Sequence, residues 1–310
     1  MTRISVIIPT YNRVGLLERV LPSYLAQAGL AEVIVVDDGS TPSVDDVLAP
    51  RFRDHAALRV IRNPRSLGPS AARNVGIRAA QADWVFFGED DVLLGGDHLE
   101  RLTAARTEMG AALVCGRLFQ QQADEDFRDV VSRQERGREP VFNRRIISVT
   151  TAGVTEPMEV PFAHCLVLTD TALAQEHLYS TKYGGPSFMR EDAEFQLRLR
   201  SHGKRLWVTP DANLVHLAKR RGAGAGTRDY ASMTAQVAST VANLSMLIDT
   251  YHNEMAPFFG SMPRDEMIRR ACLGHAYLAM KNWARGNSVA VDKTAELWNR
   301  ARWLLSGVLD

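Results

Sequence analysis

The sequence predicts an α/β fold: an open, mostly parallel sheet flanked by helices and followed by a helical extension. Three observations predict it. Short runs rich in Val, Ile and Phe alternate with helix-spaced segments between residues 4 and 92. The joints between them are short, so each strand–helix–strand unit is a crossover and the sheet is parallel. From about Tyr230 onward strand signals cease, and apolar residues recur only at helical spacing.

Residues 4–8, Ile-Ser-Val-Ile-Ile, form the first strand and are closed by Pro9-Thr10-Tyr11-Asn12. Residues 14–27 then place Leu16, Leu17, Val20, Leu21, Tyr24 and Leu25 at helical spacing. Residues 32–36 are the second strand, ended by Asp37-Asp38-Gly39-Ser40. No G-x-G-x-x-G follows the first strand, which disfavours a dinucleotide. Residues 59–62 are the third strand, and Gly68-Pro69 opens an alanine-rich helix to Ala80, with proline suited to the first helical position.

The fourth strand, Trp84-Val85-Phe86-Phe87, is apolar on both faces and therefore buried on both. After Gly88 come Glu89, Asp90 and Asp91. Three neighbouring like charges raise one another's pKa, so such a cluster persists where a cation or a donor-rich ligand neutralises it. A solvated acidic turn capping the next helix is the competing reading. Parallel strands, however, bring Thr10 and Tyr11, Asp37 and Asp38, and Glu89 to Asp91 to one edge, where ligands bind in such sheets. The convergence points to a divalent metal holding a phosphorylated ligand.

The segments Ser-Val-Ile-Ile-Pro-Thr-Tyr-Asn-Arg, Val-Ile-Val-Val-Asp-Asp-Gly-Ser, Gly-Pro-Ser-Ala-Ala-Arg-Asn and Phe-Phe-Gly-Glu-Asp-Asp-Val, in this order, resemble the nucleotide-sugar half of family 2 glycosyltransferases. The resemblance covers residues 1–120 closely and implies a GT-A-like sheet. It implies that Pro9, Thr10 and Tyr11 lie against the base and ribose, that Asp38 reads the base, often uracil, and that Arg73 helps to bind the nucleotide. It also implies that Asp91 is the last carboxylate of a D-x-D motif holding Mn or Mg against the diphosphate. Glu89 stands where that motif has its first Asp, so the division of roles between Glu89 and Asp90 stays open.

Further along, residues 97–109 read as a helix and residues 112–119 as a strand, while residues 121–145 read as a loop or insertion. Residues 160–168 read as one strand, with Thr169-Asp170 capping a short helix; His164 within it is a core or strand-edge residue. Residues 189–200 show helical spacing with Glu191 and Asp192 in front, where the helix dipole favours carboxylates. The pattern Glu-Asp followed by Phe-x-x-Arg-x-Arg resembles the family's acceptor-end motif. It implies that Asp192, with Glu191 as its rival, is the catalytic base that deprotonates an acceptor hydroxyl, with inversion. His216, at the end of Asn213-Leu214-Val215-His216 beyond a short strand at 205–208, matches a metal-ligand position in related sugar transferases; imidazole suits Mn better than Mg. The cationic and Gly-Ala run of residues 219–226 reads as a lid over a diphosphate or as a solvated linker.

The expected organisation is a catalytic domain at 1–228, with a nucleotide-sugar half at 1–120 and an acceptor half at 121–228, and a helical extension at 229–310. The extension packs on the catalytic domain, forms a homodimer interface or walls the acceptor site. A net charge of +1 excludes a general nucleic-acid binder. Cysteines at 115, 165 and 272 form neither a disulfide framework nor a C-x-x-C site, which points to a reducing cytoplasm. No apolar run approaches the roughly 20 residues of a membrane span, so membrane contact must be peripheral. The expected chemistry is a UDP-sugar donor, Mn or Mg, and a hydroxyl acceptor on a saccharide, lipid-linked glycan or small molecule. A sugar-phosphate nucleotidyltransferase and a non-catalytic nucleotide-sugar binder are the alternatives; the first lacks its Gly-rich basic loop after strand one, and the second has no use for Asp192.

Overall fold

A computed structural model describes residues 3–122, 125–137, 140–183, 190–217 and 233–286. In chain order these form β1 (Ile4–Thr10), α1 (Val14–Leu25), β2 (Leu30–Asp37), α2 (Val44–Val47), α3 (Pro50–Arg53), β3 (Leu58–Arg62), α4 (Pro69–Ala79), β4 (Trp84–Phe87) and β5 (Val92–Leu94). There follow α5 (His98–Met109), β6 (Leu113–Gln120), α6 (Phe127–Arg136), β7 (Phe142–Asn143), β8 (Ser148–Val149), β9 (Met158–Val160), β10 (Val167–Asp170), α7 (Thr171–Glu176) and α8 (Glu191–Ser201). The last are β11 (Leu206–His216), α9 (Met233–Met255) and α10 (Arg264–Gly286). No helix among the described residues is long and apolar enough to cross a membrane.

The chain divides into two compact units. The larger comprises Met1–Val141, Val149–Lys182 and Glu191–Thr227, and the smaller comprises Phe142–Ser148, Tyr183–Arg190 and Arg228–Asp310. The smaller unit thus draws on two earlier segments as well as on the tail.

The larger unit is built on a nine-stranded sheet, among the described residues, in the order β3-β2-β1-β4-β10-β6-β11-β5, with β9 pairing on β11. Strands β1, β2, β3, β4, β6 and β11 run one way, and β5, β9 and β10 oppose them, which makes the sheet mostly parallel as expected. Its centre is apolar on both faces: Val6, Ile7, Ile8, Val85, Phe86, Phe87 and Leu168 are all buried. Helix α1 turns Leu17, Val20, Leu21 and Tyr24 inward, an i, i+3, i+4, i+7 stripe. Gly88, just past β4, has no room for a side chain, because a Cβ there would meet the Tyr24 ring at 2.9 Å.

Three expectations need correction. Residues 160–168 are not one strand: β9 ends at Val160, β10 begins at Val167, and the link between them is irregular. Pro161 has no N–H for a ladder, and Gln196 satisfies the link instead, its amide oxygen accepting from Ala163 N at 2.7 Å and its Nε2 donating to His164 O at 2.9 Å. The segment 121–145 is not simply a loop. It contains α6, whose N-cap Asp126 accepts from the amides of Arg128 and Asp129, and Val130 anchors it in a small cluster with Phe119 and Val215. Finally, the short strand at 205–208 and the Asn213–His216 stretch belong to one strand, β11, bulged between Val208 and Asn213.

In the smaller unit, Leu244, Leu247, Ile248 and Tyr251 form the buried stripe of α9, and Met267 and Ala271 that of α10. The inserted ribbon β7–β8 brings Phe142 within 5.8 Å of the Phe258 and Phe259 rings, and Arg190 Nη2 lies 2.9 Å from His275 Nε2. The expected run at 219–226 and the apolar positions beyond residue 286 lie outside the described residues.

Candidate active site

Register fixes the edge on which the polar strand ends meet. Thr10 pairs with Asp37 across β1 and β2, and Ile7 pairs with Phe87 across β1 and β4, so β1 and β2 end together and the turn after β4 runs alongside the end of β1. Strand β5 then pairs antiparallel with β11, His216 facing Val92, and Leu217 N donates to Asp91 O at 2.8 Å. The chain's return through β11 is what delivers His216 beside Asp91, more than a hundred residues away in sequence.

The acidic turn itself is held from below. Tyr24 is fully buried, and its hydroxyl donates to Glu89 O and accepts from Glu89 N, both at 3.1 Å. With its backbone clamped, the turn splits its carboxylates. Asp90 accepts from the Thr10 hydroxyl at 2.7 Å and pairs through Oδ1 with Arg13 Nη1 at 2.9 Å. Glu89 and Asp91 group with His216 instead, offering ligand atoms that all lie within 4.8 Å of one another. His216 Nε2 is 3.4 Å from Asp91 Oδ2. Two carboxylate oxygens and an imidazole nitrogen at that spacing form a donor set that Mn fits well and Mg tolerates.

The electrostatics follow from burial. Burial pushes the Asp90 carboxyl up to about 7, against the pull of Arg13. Burial and then the Asp91 charge raise Glu89, opposed by Arg73 and His216. These groups are over-supplied with negative charge as they stand.

Arg73, on α4, is buried and lies between the acidic turn and α8. Its Nη2 is 3.7 Å from Glu89 and its Nη1 3.5 Å from Glu191, and its guanidinium sits 5.4 Å over the Tyr179 ring. Nε and Nη1 have no hydrogen-bond partner. Its pKa is raised even though burial opposes the charge, which the surrounding anionic groups outweigh. The start of α8 is placed here by aromatic packing: Phe195 stacks on Tyr179 at 4.3 Å, and both rings meet Phe87 edge-on at 5.8 and 5.4 Å. Glu191 is buried toward Arg73, whereas Asp192 is half-buried. The Asp192 charge is felt at Cys165, Tyr179 and His164, and Cys165 also hydrogen-bonds to Glu89. One buried layer thus joins the acidic turn to the base candidates.

Asp38 is engaged by the loop that follows β3. Its two oxygens accept from Asn63 Nδ2 at 2.7 Å, Ser66 Oγ at 2.8 Å, Leu67 N at 3.0 Å and Gly68 N at 2.9 Å. These donors, all from residues 63–68, engage both carboxylate oxygens. Asp38 shapes the 63–68 loop, and Gly68, at φ +88°, is the residue that can turn its amide inward there. Pro9 lies within β1 and is half-buried, and Tyr11 is 44% exposed at the rim. Sequence reasoning missed Arg13, Tyr24, Cys165 and Tyr179. Arg13 was readable as a cation three residues past the end of β1; the other three are apolar-looking positions that only the packing brings to the site.

A family model described as glycosyl transferase family 2 matches residues 5–159. A pre-mycofactocin glycosyltransferase of Mycobacterium tuberculosis is 31% identical over 219 residues, covering 69% of this chain and 42% of the relative. An uncharacterized glycosyltransferase of Haemophilus influenzae is 33% identical over 102 residues, covering 33% of this chain and 41% of the relative. The chain therefore spans less than half the length of these curated relatives. Among solved structures, S. aureus TarS 1-349 in complex with UDP-GlcNAc aligns with a TM-score of 0.59 at 18% identity, over 91% of this chain and 75% of that one, which shows a shared fold. With its motifs, its sheet and the family match in agreement, the chain belongs to glycosyl transferase family 2.

Proposed function

We propose that this protein is a metal-dependent, inverting glycosyltransferase that moves a sugar from a nucleoside diphosphate donor to a hydroxyl acceptor. The observation that carries this reading is the convergence of Glu89, Asp91 and His216 on the same buried layer as Arg73, Glu191 and Asp192. A divalent ion held by the first three supplies charge neutralisation for the diphosphate leaving group. Arg73, whose Nε has no hydrogen-bond partner, adds fixed positive charge beside it.

Asp192 is the better base candidate of the α8 pair, because Glu191 is committed to Arg73. The acceptor O–H gives its proton to the Asp192 carboxylate as its oxygen bonds to the anomeric carbon. The bond from that carbon to the diphosphate oxygen breaks on the opposite face, and its electron pair leaves with the nucleoside diphosphate. The configuration inverts. Base assistance of this kind is worth about 10² to 10⁴ in rate.

Uridine is the first nucleotide to test. The fold shared with TarS, whose complex holds UDP-GlcNAc, supports that choice, and the exposed Tyr11 ring offers a flat face to a base. Asp38 contributes through the loop it holds. The test is calorimetric titration with UDP, GDP and dTDP, each in Mn, in Mg and in EDTA. Tight binding of one diphosphate that is lost in EDTA is the expected result; binding of none under any condition would remove the donor assignment.

A further inference from the structure

Arg13 ends the turn between β1 and α1 and reaches into the acidic turn. Nη1 pairs with Asp90 Oδ1 at 2.9 Å, and Nη2 bonds to Asp91 Oδ2. That second oxygen is the same atom that lies 3.4 Å from His216 Nε2. Asp91 Oδ2 is therefore claimed by a guanidinium on one side and by the candidate cation cluster on the other. We propose that Arg13 is a tethered counter-cation that neutralises Asp91 when no divalent ion is bound, gives up Asp91 Oδ2 on metal loading, and turns on its Asp90 anchor to grip the donor diphosphate. The inference rests on the metal-dependent reading above.

A divalent ion takes a carboxylate oxygen at about 2.1 Å, which leaves it roughly 4 Å from a guanidinium on the same oxygen. The repulsion between a dication and a monocation is about twice that of a unit-charge pair at that distance, so the Arg13–Asp91 bond is the one to yield. The Arg13–Asp90 bond need not yield, since it runs to a different carboxylate from the one the ion would take, and Thr10 holds that carboxylate through its other oxygen. The backbone has little part in the movement: Asn12, at φ +53°, is pinned by its amide on Ser40 Oγ at 2.9 Å and by its side chain on Thr41 N at 2.8 Å. What moves is one half of a planar fork, and that fork matches two phosphate oxygens bidentately. The arginine released by the metal is then presented to the anion the metal recruits.

The test is Mn binding to the nucleotide-free protein, read by electron paramagnetic resonance of free Mn, for wild type, Arg13→Met and Arg13→Lys. UDP affinity in saturating Mn is measured by calorimetry on the same three. Arg13→Met is expected to bind Mn about fivefold more tightly than wild type, because a competing cation is gone. It is expected to bind UDP about tenfold more weakly in saturating Mn, because a charge-assisted fork is gone. Arg13→Lys, which keeps the charge without the fork, should stay near wild type for Mn and fall with Arg13→Met for UDP; it also stands in if Arg13→Met fails to fold. If wild type binds Mn and Arg13→Met binds it no more tightly, or if both variants keep wild-type UDP affinity, the counter-cation role is wrong while the metal reading stands. If none of the three binds Mn, both fall together.

Discussion

Asp37 and Asp38 at the end of β2 and Glu89, Asp90 and Asp91 at the end of β4 sit on the same edge of one sheet, with only β1 between their strands. Backbone amides, neutral side chains and one arginine, Arg62 on Asp37 at 2.8 Å, surround the first pair. Burial presses Asp37 upward, but the hydroxyl and amide of Ser40, the amide of Val44 and Arg62 outweigh it and leave the carboxyl below its ordinary range. Asp38 is saturated by donors from residues 63–68. The second group is crowded: Arg13 lies on Asp90 and Asp91, Arg73 near Glu89, and the His216 imidazole 3.4 Å from Asp91. Asp90 and Glu89 are pushed up instead of down. The first pair is spent on building a loop, while the second group is the one on which the proposed metal site rests.

The largest expected effect lies on the side of the site. Asp192→Asn should lower glycosyl transfer by about 10² to 10⁴ while UDP affinity in Mn stays near wild type, measured as turnover against calorimetry. Unchanged turnover would assign the base elsewhere, with Glu191 next.

On the loop side, Asp38→Asn turns an amide toward the Leu67 and Gly68 N–H groups and leaves a buried donor unmet. It should cost about 1–3 kcal/mol of folding stability in urea titration. Mn affinity of the folded protein should not change, and a parallel loss of Mn binding would mean that the two turns are not separate in function.

The smallest effect concerns burial without a charge partner. His98 is fully buried, and burial, with a minor contribution from His164, takes its pKa down to about 3; His164 itself is taken down to about 4. Both are therefore neutral in the folded protein and ordinary when unfolded. The unfolded chain binds more protons below pH about 6.5, so stability is fully present above that pH and is lost as pH falls toward about 4. His98→Gln should have a shallower acid limb in urea midpoints between pH 7.5 and 4.5, and an equal slope would show that His98 is not held neutral.

Much of this was legible in the sequence for a local reason. β1, β2 and β4 carry short apolar runs that need no distant partner to be recognised, and each is followed by its polar end, so the acidic edge could be read from residues 9–91. Asp192 and His216 needed the resemblance as well, since a helix-start carboxylate and a lone histidine have ordinary explanations. What could not be read is what depends on side chains meeting across long separations. Asp38 is filled from residues 63–68, Gln196 breaks the strand expected at 160–168, and Tyr179 joins Arg73 to Phe195. Residue type gave no sign of those partners. The charges of α6 hid a helix because Glu125 and Arg133 pair with each other at 2.7 Å, and only Val130 marks its buried side.

The most direct test of the account is phosphorus relaxation of UDP by Mn in the presence of wild-type protein and of Asp91→Asn. If Glu89, Asp91 and His216 hold the ion against the diphosphate, wild type should broaden both phosphorus resonances strongly. Asp91→Asn should lose most of that effect and most of its Mn-dependent UDP affinity. Equal broadening and equal affinity in the two proteins, or wild-type UDP binding that persists undiminished in EDTA, would contradict the assignment of this edge as a metal-dependent donor site.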